Sequence, residues 1–322
     1  MTPSSNGKLV VASRGSKLAV RQAQMVSDLV VEAHPGLEIE IRTVKTTGDK
    51  DQRAFGEIGG KGLFTSEVER EVVESRADLA VHSAKDLTAE LFDGCVIVCV
   101  PPRGRVDDVV VGGRGSTGEE RIANLPPGAT VGTSSIRRRA LLSELRPDLE
   151  AVTFRGNLDT RLKKVAEGRV DVAILAGAGI DRLGAPADVA PLHPERWTPP
   201  PGQGAIAIEA SLDREDVADL LVGLGDPNAM AEVACERAFA RQLEGGCSVP
   251  LGCLARASDG TLVANGFLAT PDASAVLRDK ISGNVRDTEA LGLELGQAIL
   301  GAGGDEILDE LRDTEPPQPS PP

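Results

Sequence analysis

Tyrosine is absent from this 322-residue chain, tryptophan occurs once and phenylalanine six times. So few rings leave no platform for stacking nucleobases, which argues against a single-stranded nucleic-acid binder. Positive net charge is lacking too: the formal balance is −14 and the pI ≈ 4.8, unlike a general polyanion binder. The three histidines and five cysteines show no zinc-site spacing, and no two cysteines form a C-x-x-C pair. No apolar run is long enough to span a bilayer. Met1 to Gly7 is short and polar, so no secretory leader is read, and the expected compartment is reducing and cytoplasmic. The basic residues that do cluster must therefore be local devices for small anions.

The length predicts two or three domains. Lys8 to Ala12 reads as a buried strand, followed by Ser13-Arg14-Gly15-Ser16 and a helix over 17–32. Strand, polar glycine turn, helix is how α/β folds offer helix N-terminal amides to an anionic ligand. Arg14 and Ser16 sit at that mouth, with Ser16 as helix cap, ligand contact or both. After a strand over 38–44, the polar, glycine-rich stretch Thr47 to Gly60 reads as a lid or binding loop and leads to Lys61 and Phe64. A helix over 64–74 and a short buried strand, Leu79 to Val81, follow. Lys85 and Asp86 then lie just past a strand's carboxyl end, where α/β folds place their chemistry. They are candidate functional residues, with solvated surface charge as the alternative, and His82 reads as a core residue.

A strand over 95–100 ends at Pro101-Pro102-Arg103-Gly104, and a second α/β unit begins. There Thr133-Ser134-Ser135 caps a helix that opens Ile136-Arg137-Arg138-Arg139. Three arginines in a first turn oppose the positive end of the helix dipole, and a bound anion would offset that. Arg155-Gly156-Asn157 opens the next helix, which carries Arg161, and Arg182 follows a further strand. Several arginines at successive strand ends suggest a carboxylate-binding wall. The stiff Trp197-Thr198-Pro199-Pro200-Pro201-Gly202-Gln203-Gly204 stretch is a second crossover. Two crossovers imply two hinged lobes with a cleft between them. From Asp226 a third unit is read as a helix, three strands over 253–257, 261–269 and 275–281, and a helix over 288–300. Its first helix runs into Leu243-Glu244-Gly245-Gly246-Cys247-Ser248-Val249-Pro250, where two glycines and a proline hold Cys247 in a tight turn. Simple packing of that cysteine is the alternative. Residues 314–322 read as a disordered, proline-rich tail.

Together, Ala12-Ser13-Arg14-Gly15-Ser16, Gly59-Gly60-Lys61-Gly62-Leu63-Phe64, Val81-His82-Ser83-Ala84-Lys85-Asp86, Gly132-Thr133-Ser134-Ser135-Ile136-Arg137-Arg138, Arg155-Gly156-Asn157, Gly202-Gln203-Gly204-Ala205 and Leu243-Glu244-Gly245-Gly246-Cys247 resemble the porphobilinogen deaminase family, over Lys8 to Arg312. The chain departs from that pattern with Ala84 where methionine is usual and Leu87-Thr88 where valine-proline is. The resemblance implies an α/β protein of three domains: two lobes like type II periplasmic binding proteins, at 7–102 with 202–224 and at 103–201, and a small α+β domain at 225–313. It implies a hydroxymethylbilane synthase that condenses four porphobilinogen molecules, with loss of ammonia, onto a dipyrromethane cofactor joined by a thioether to Cys247. Asp86 would be catalytic, while Lys85, Asp86, Ser135, Arg137, Arg138, Arg155 and Gly156 would hold the cofactor. Arg14, Ser16, Lys61, Phe64, Arg155, Arg161, Arg182 and Gln203 would meet the substrate. The expected assembly is a monomer, with no metal, nucleic-acid or membrane partner. A non-catalytic two-lobed solute-binding protein is the rival reading, but it would be exported and would have no use for the Cys247 turn.

Intact mass distinguishes these readings. Denatured wild-type protein is expected to carry the mass excess of one dipyrromethane, and Cys247→Ala to lack it; an unmodified wild type with full activity would overturn the assignment.

Overall fold

The computed structural model describes residues 8–46, 65–244 and 249–314. The first lobe opens with β1 (Lys8–Arg14), α1 (Lys17–Ala33), β2 (Glu38–Val44), α2 (Ser66–Val73), β3 (Leu79–Ser83) and β4 (Cys95–Cys99). The second comprises β5 (Asp108–Val111), α3 (Gly118–Ala123), β6 (Thr130–Gly132), α4 (Ile136–Leu145), β7 (Glu150–Val152), α5 (Leu158–Ala166), β8 (Val172–Ala176), α6 (Gly177–Leu183) and β9 (Val189–Pro191). The chain then returns through β10 (Ile206–Ser211) and α7 (Glu215–Leu220). The third unit contains α8 (Pro227–Gln242), β11 (Leu251–Ser258), β12 (Thr261–Ala269), β13 (Val276–Asn284), α9 (Thr288–Ile299) and α10 (Asp305–Thr314).

The two large sheets share one plan. The first runs β2-β1-β3-β10-β4 and the second β7-β6-β8-β5-β9. In each, three strands lie parallel, and the fourth, antiparallel to both neighbours, emerges from a crossover. Parallel strands covered by helices on both faces read as apolar runs rather than alternations, and the first four residues of β3 and of β8 are buried. The stretch after β8, glycine-rich enough to read as a loop, is the short helix α6, ended by Gly184 in the left-handed region at φ 56.

Local chemistry explains the longer helices. Ser16 caps α1 by accepting from the Ala19 amide at 3.2 Å. Asp226 caps α8 by accepting from the Asn228 and Ala229 amides, with Pro227 in the first turn, where its missing N–H costs nothing. At its other end, α8 yields to Leu243 and then Glu244 at φ 49. That turn directs the chain away toward the cysteine loop.

The third unit is an antiparallel sheet, β11-β12-β13, backed by α8 and α9. It packs on both lobes. Ala229 and Val233 of α8 share a buried cluster with Ala84, Leu87, Ala205 and Ala207 of the first lobe. Phe267 and Ala269 of β12 enter the core of the second lobe beside Trp197. Burying a phenylalanine contributes about 1.5–3 kcal/mol, whereas a half-exposed pair such as Arg278–Glu144, at 2.5 Å, contributes about 0–1 kcal/mol. Packing, not the ion pair, holds this face.

At the junction of all three units lies a buried ionic network. Arg103, in the first crossover, pairs with Glu236 at 2.8 Å and Glu232 at 3.0 Å, both on α8. Glu236 also accepts from the Gly202 amide of the second crossover and the Ala255 amide of β11. The crossovers bond each other through Gly104 N–H to the Gly204 carbonyl at 3.0 Å. Gly204 has φ 85, and a Cβ there would lie 2.6 Å from the Arg105 carbonyl oxygen, so only glycine fits. Removing one partner of a buried pair leaves a charge uncompensated. Glu236→Gln is therefore expected to lower stability by roughly 3–5 kcal/mol, toward the lower end because Glu232 remains. Urea unfolding followed by Trp197 fluorescence measures it, and a change below about 1 kcal/mol would show that the network is dispensable.

Candidate active site

The sequence places the candidate residues at strand ends, and the fold brings those ends together. β1 delivers Arg14 and Ser16, β3 delivers Lys85 and Asp86 in a single 3-10 turn over Ala84–Asp86, and β6 delivers Ser135, Arg137 and Arg138. Gly202, at φ 76, is pressed against the Ala84–Lys85 backbone; a Cβ there would lie 2.8 Å from the Ala84 carbonyl carbon. Behind the turn, buried Gln22 of α1 and Ser83 exchange hydrogen bonds of 2.9 and 3.1 Å.

The centre of this region is a residue to which sequence reasoning assigns no role. Asp108, at the start of β5 and fully buried, accepts hydrogen bonds from Arg137, Arg138, Trp197 and Gln203 at 2.6–3.0 Å. Burial is the largest single influence on its carboxyl and opposes charge. The two guanidiniums and their hydrogen bonds together outweigh burial, and the group is held well below the usual carboxylate range. The arginines in the first turn of α4 thus have an internal counter-charge. Arg137 further donates to the Thr198 carbonyl and Arg138 to the Ile174 carbonyl. The only sequence trace of Asp108 is an acidic residue opening the apolar run Asp108-Val109-Val110-Val111.

Gln203 passes this order to the first lobe. Its amide nitrogen donates to Asp108 at 2.9 Å and to the Val106 carbonyl at 2.7 Å, which turns its oxygen toward Lys85 Nζ at 3.2 Å. Burial drives the Lys85 ammonium down to about 8; Asp86 and Asp108 oppose that fall, and Arg138 and Arg137 add to it. Asp86 pairs with Arg14 at 3.9 Å, and its side chain keeps 39% of its surface open to solvent.

Arg161 of α5 stands apart. Its Nε is buried without a hydrogen-bond partner. Burial, then the like charges of Arg138 and Arg155, pull its guanidinium down to about 10. Three mutually repelling guanidiniums, one with an orphaned donor, form a donor set that suits several carboxylates at once. A pyrrole group bearing acetate and propionate fits that chemistry. Arg155 precedes Gly156, which has φ 116 at the entrance to α5. Arg182 is turned to the crossover, donating to the Gly204 carbonyl at 2.6 Å. His82 is buried with its Nε2 3.2 Å from Glu209. Cys247, Lys61, Phe64 and the loop over 47–60 lie outside the described residues.

Residues 9–219 match the family described as "Porphobilinogen deaminase, dipyromethane cofactor binding domain", and residues 230–301 match "Porphobilinogen deaminase, C-terminal domain". The chain belongs to the porphobilinogen deaminase family. A porphobilinogen deaminase of Maridesulfovibrio salexigens is 39% identical over 95% of this chain and 99% of its own length. Those of Syntrophobacter fumaroxidans and Moorella thermoacetica are 41% and 43% identical, covering 94% and 95% of this chain and 97% of their own lengths. Among solved structures, an amino acid ABC transporter substrate-binding protein of Streptococcus pneumoniae Canada MDR_19A is 14% identical, with TM-score 0.36, covering 67% of this chain and 86% of its own. The chain is a transferase of two lobes whose sheets share one strand plan and a small C-terminal domain, and the family's cofactor is dipyrromethane. Among the described residues, no helix is long and apolar enough to cross a membrane.

Lys85 gives a signed pH expectation. Its folded-state value of about 8 lies below the ordinary 10.5, so the charged form strains the fold below about 8, and that strain fades as pH rises toward 10.5. Carboxylate binding needs the charge, so kcat/KM for porphobilinogen should fall as pH rises through about 8, and Lys85→Arg should abolish that step. An unchanged limb in Lys85→Arg would assign the titration elsewhere.

Proposed function

We propose that this protein is a hydroxymethylbilane synthase that assembles its linear tetrapyrrole by four head-to-tail condensations of porphobilinogen, each releasing ammonia. The observation that carries this reading is the guanidinium set Arg138, Arg155 and Arg161, with its orphaned buried donor, near the Lys85–Asp86 turn. The dipyrromethane group, joined through Cys247 by a thioether, supplies the nucleophilic pyrrole carbon on which the chain starts. Every other task belongs to the protein.

Arg137, Arg138, Arg155, Arg161 and Arg182 bind side-chain carboxylates, and Ser135 and Gly156 offer hydroxyl and backbone contacts at helix entrances. Arg14, Ser16, Lys61 and Phe64 meet incoming substrate, whereas Gln203, buried with its amide committed to Asp108, Val106 and Lys85, acts through Lys85. Lys85 neutralises a carboxylate beside the reacting ring. As ammonia departs from porphobilinogen, positive charge grows on its ring nitrogen, and Asp86 stabilises that charge at short range. The same carboxylate moves the proton: it assists departure of ammonia and accepts the proton lost when the new carbon–carbon bond is complete. The covalent tether removes the cost of rebinding the growing chain at each round. The enzyme is read as a cytoplasmic monomer.

The partly exposed Asp86, paired only loosely with Arg14, has room to approach a ring. Asp86→Asn keeps the shape but loses charge and proton transfer, so it should fold normally and lose at least roughly 10²–10⁴-fold in single-turnover rate. Asp86→Glu should retain a small rate and accumulate enzyme-bound intermediates. Both are measured on holoenzyme whose cofactor mass is confirmed. Condensation by Asp86→Asn within about tenfold of wild type would reduce Asp86 to a positioning residue.

A further inference from the structure

The segment that follows Asp86 has an unusual support. Leu87-Thr88 follows the Lys85–Asp86 turn directly, without the stiffness that a proline ring would give there. The backbone nevertheless keeps a proline-ready shape. Leu87 sits at φ −69, ψ 142, the extended region that a following proline demands. No hydrogen bond uses the Thr88 amide among the described residues, where proline would have none to give.

Other contacts hold the segment. The Leu87 amide donates to the Ala84 carbonyl at 3.3 Å, and its side chain is buried against Val233 of α8. The Phe92 amide donates to Glu69 at 2.9 Å. Between them, Arg237 of α8 reaches out of the third unit and donates from Nη2 to the Ala89 carbonyl at 3.1 Å. Burial pulls the Arg237 guanidinium below its ordinary value; two carboxylates of the first lobe, Glu209 and Glu69, attract it against that fall, and the like charge of Arg241 adds to it. Glu209 is fully buried, and among the described residues neither of its carboxylate oxygens accepts a hydrogen bond. The His82 Nε2 lies 3.2 Å from one of them. The arginine is thus drawn toward the first lobe by charge while its planar fork ties down the loop.

We propose that Arg237 is the positioning residue of the Lys85–Asp86 turn, supplying from the C-terminal domain the stiffness that proline at position 88 would otherwise give. This rests on the reading of Asp86 as catalytic. It also makes α8, a helix of the third unit, a direct brace for that turn in the first lobe. The test uses holoenzyme of confirmed cofactor mass. Arg237→Lys keeps the charge facing Glu209 and Glu69 but loses the bond to Ala89. It should raise amide hydrogen exchange across residues 84–92 and lower kcat by roughly ten- to hundredfold, the cost of misplacing a catalytic group by about 1 Å, with KM little changed. Adding Thr88→Pro should restore both exchange protection and kcat, which a general loss of stability would not allow. Thr88→Pro alone should stay within about twofold of wild type, since Leu87 already has the shape a proline demands and the stiff ring replaces the hydroxyl's bond to the Glu90 carbonyl.

Unchanged exchange and kcat in Arg237→Lys would overturn the proposal, as would a double variant that remains impaired. Exchange that rises and recovers while kcat does not follow would overturn it too. In that case a large loss in Asp86→Asn, measured alongside, assigns the failure to Arg237 and not to Asp86.

Discussion

A single buried carboxylate organises the meeting of the two lobes. Asp108 alone would be costly in an apolar core, and so would Arg137 and Arg138. Together they satisfy one another, and the geometry leaves Asp108 enough capacity for Trp197 and Gln203. The consequence reaches further than stability. Since the Gln203 amide nitrogen is committed to Asp108 and Val106, its oxygen has one orientation left, and Lys85 is held against it. A charge pair in the second lobe thereby fixes a cation in the first. The helix dipole that the arginines would oppose is countered from within the protein by Asp108, whereas Arg161 has no such internal carboxylate among the described residues, and its buried Nε, like that of Arg137, has no hydrogen-bond partner there.

The same logic recurs at the hinge. Arg103, Glu232 and Glu236 bind the crossovers to α8, so the C-terminal domain is fastened to the hinge, not hung from one lobe. Its packing differs on the two sides: aliphatic residues of α8 against the first lobe, and an inserted phenylalanine against the second. Relative motion of the lobes must then carry the domain with it or slip at one of these faces. Lys17 of α1 and Asp159 of α5, 2.5 Å apart across the lobes, mark where such motion is felt at the rim.

Much of this was legible in the residues. The strand over 38–44, the central strand over 261–269 and the helix after Asp226-Pro227 stand in the structure where pattern and caps put them. The rule that α/β chemistry gathers at strand carboxyl ends also selected Arg14, Lys85, Asp86 and the α4 arginines. Among what escaped were pieces too short to show a period, β5 with four residues, β9 with three, and α6, whose glycines have poor helix propensity, and also the ten-residue α10, Asp305–Thr314, for which the sequence reading gave no element. Asp108 and Glu236 escaped for another reason. Their partners lie far along the chain, and an acidic residue bordering an apolar run looks the same whether it faces water or two guanidiniums. Arg237 likewise reads as an ordinary helix charge until the fold brings it to Ala89.

The exchange of strands between lobes has a consequence for synthesis. In the first sheet β10 lies between β3 and β4, so those two strands have no partner along facing edges until the crossover has been made twice. β4 ends at Cys99 and β10 begins at Ile206, and at roughly 5–20 residues per second a ribosome takes about 5–20 s to cover that stretch. By the end of that interval the second lobe has all five of its strands, whereas the first still has a slot in the middle of its sheet. The N-terminal lobe is therefore the last of the two to close, and the nascent chain exposes an apolar gap that β10 alone is shaped to fill. Until β10 arrives, the strand that carries the Lys85–Asp86 turn at its end lacks its neighbour on that side.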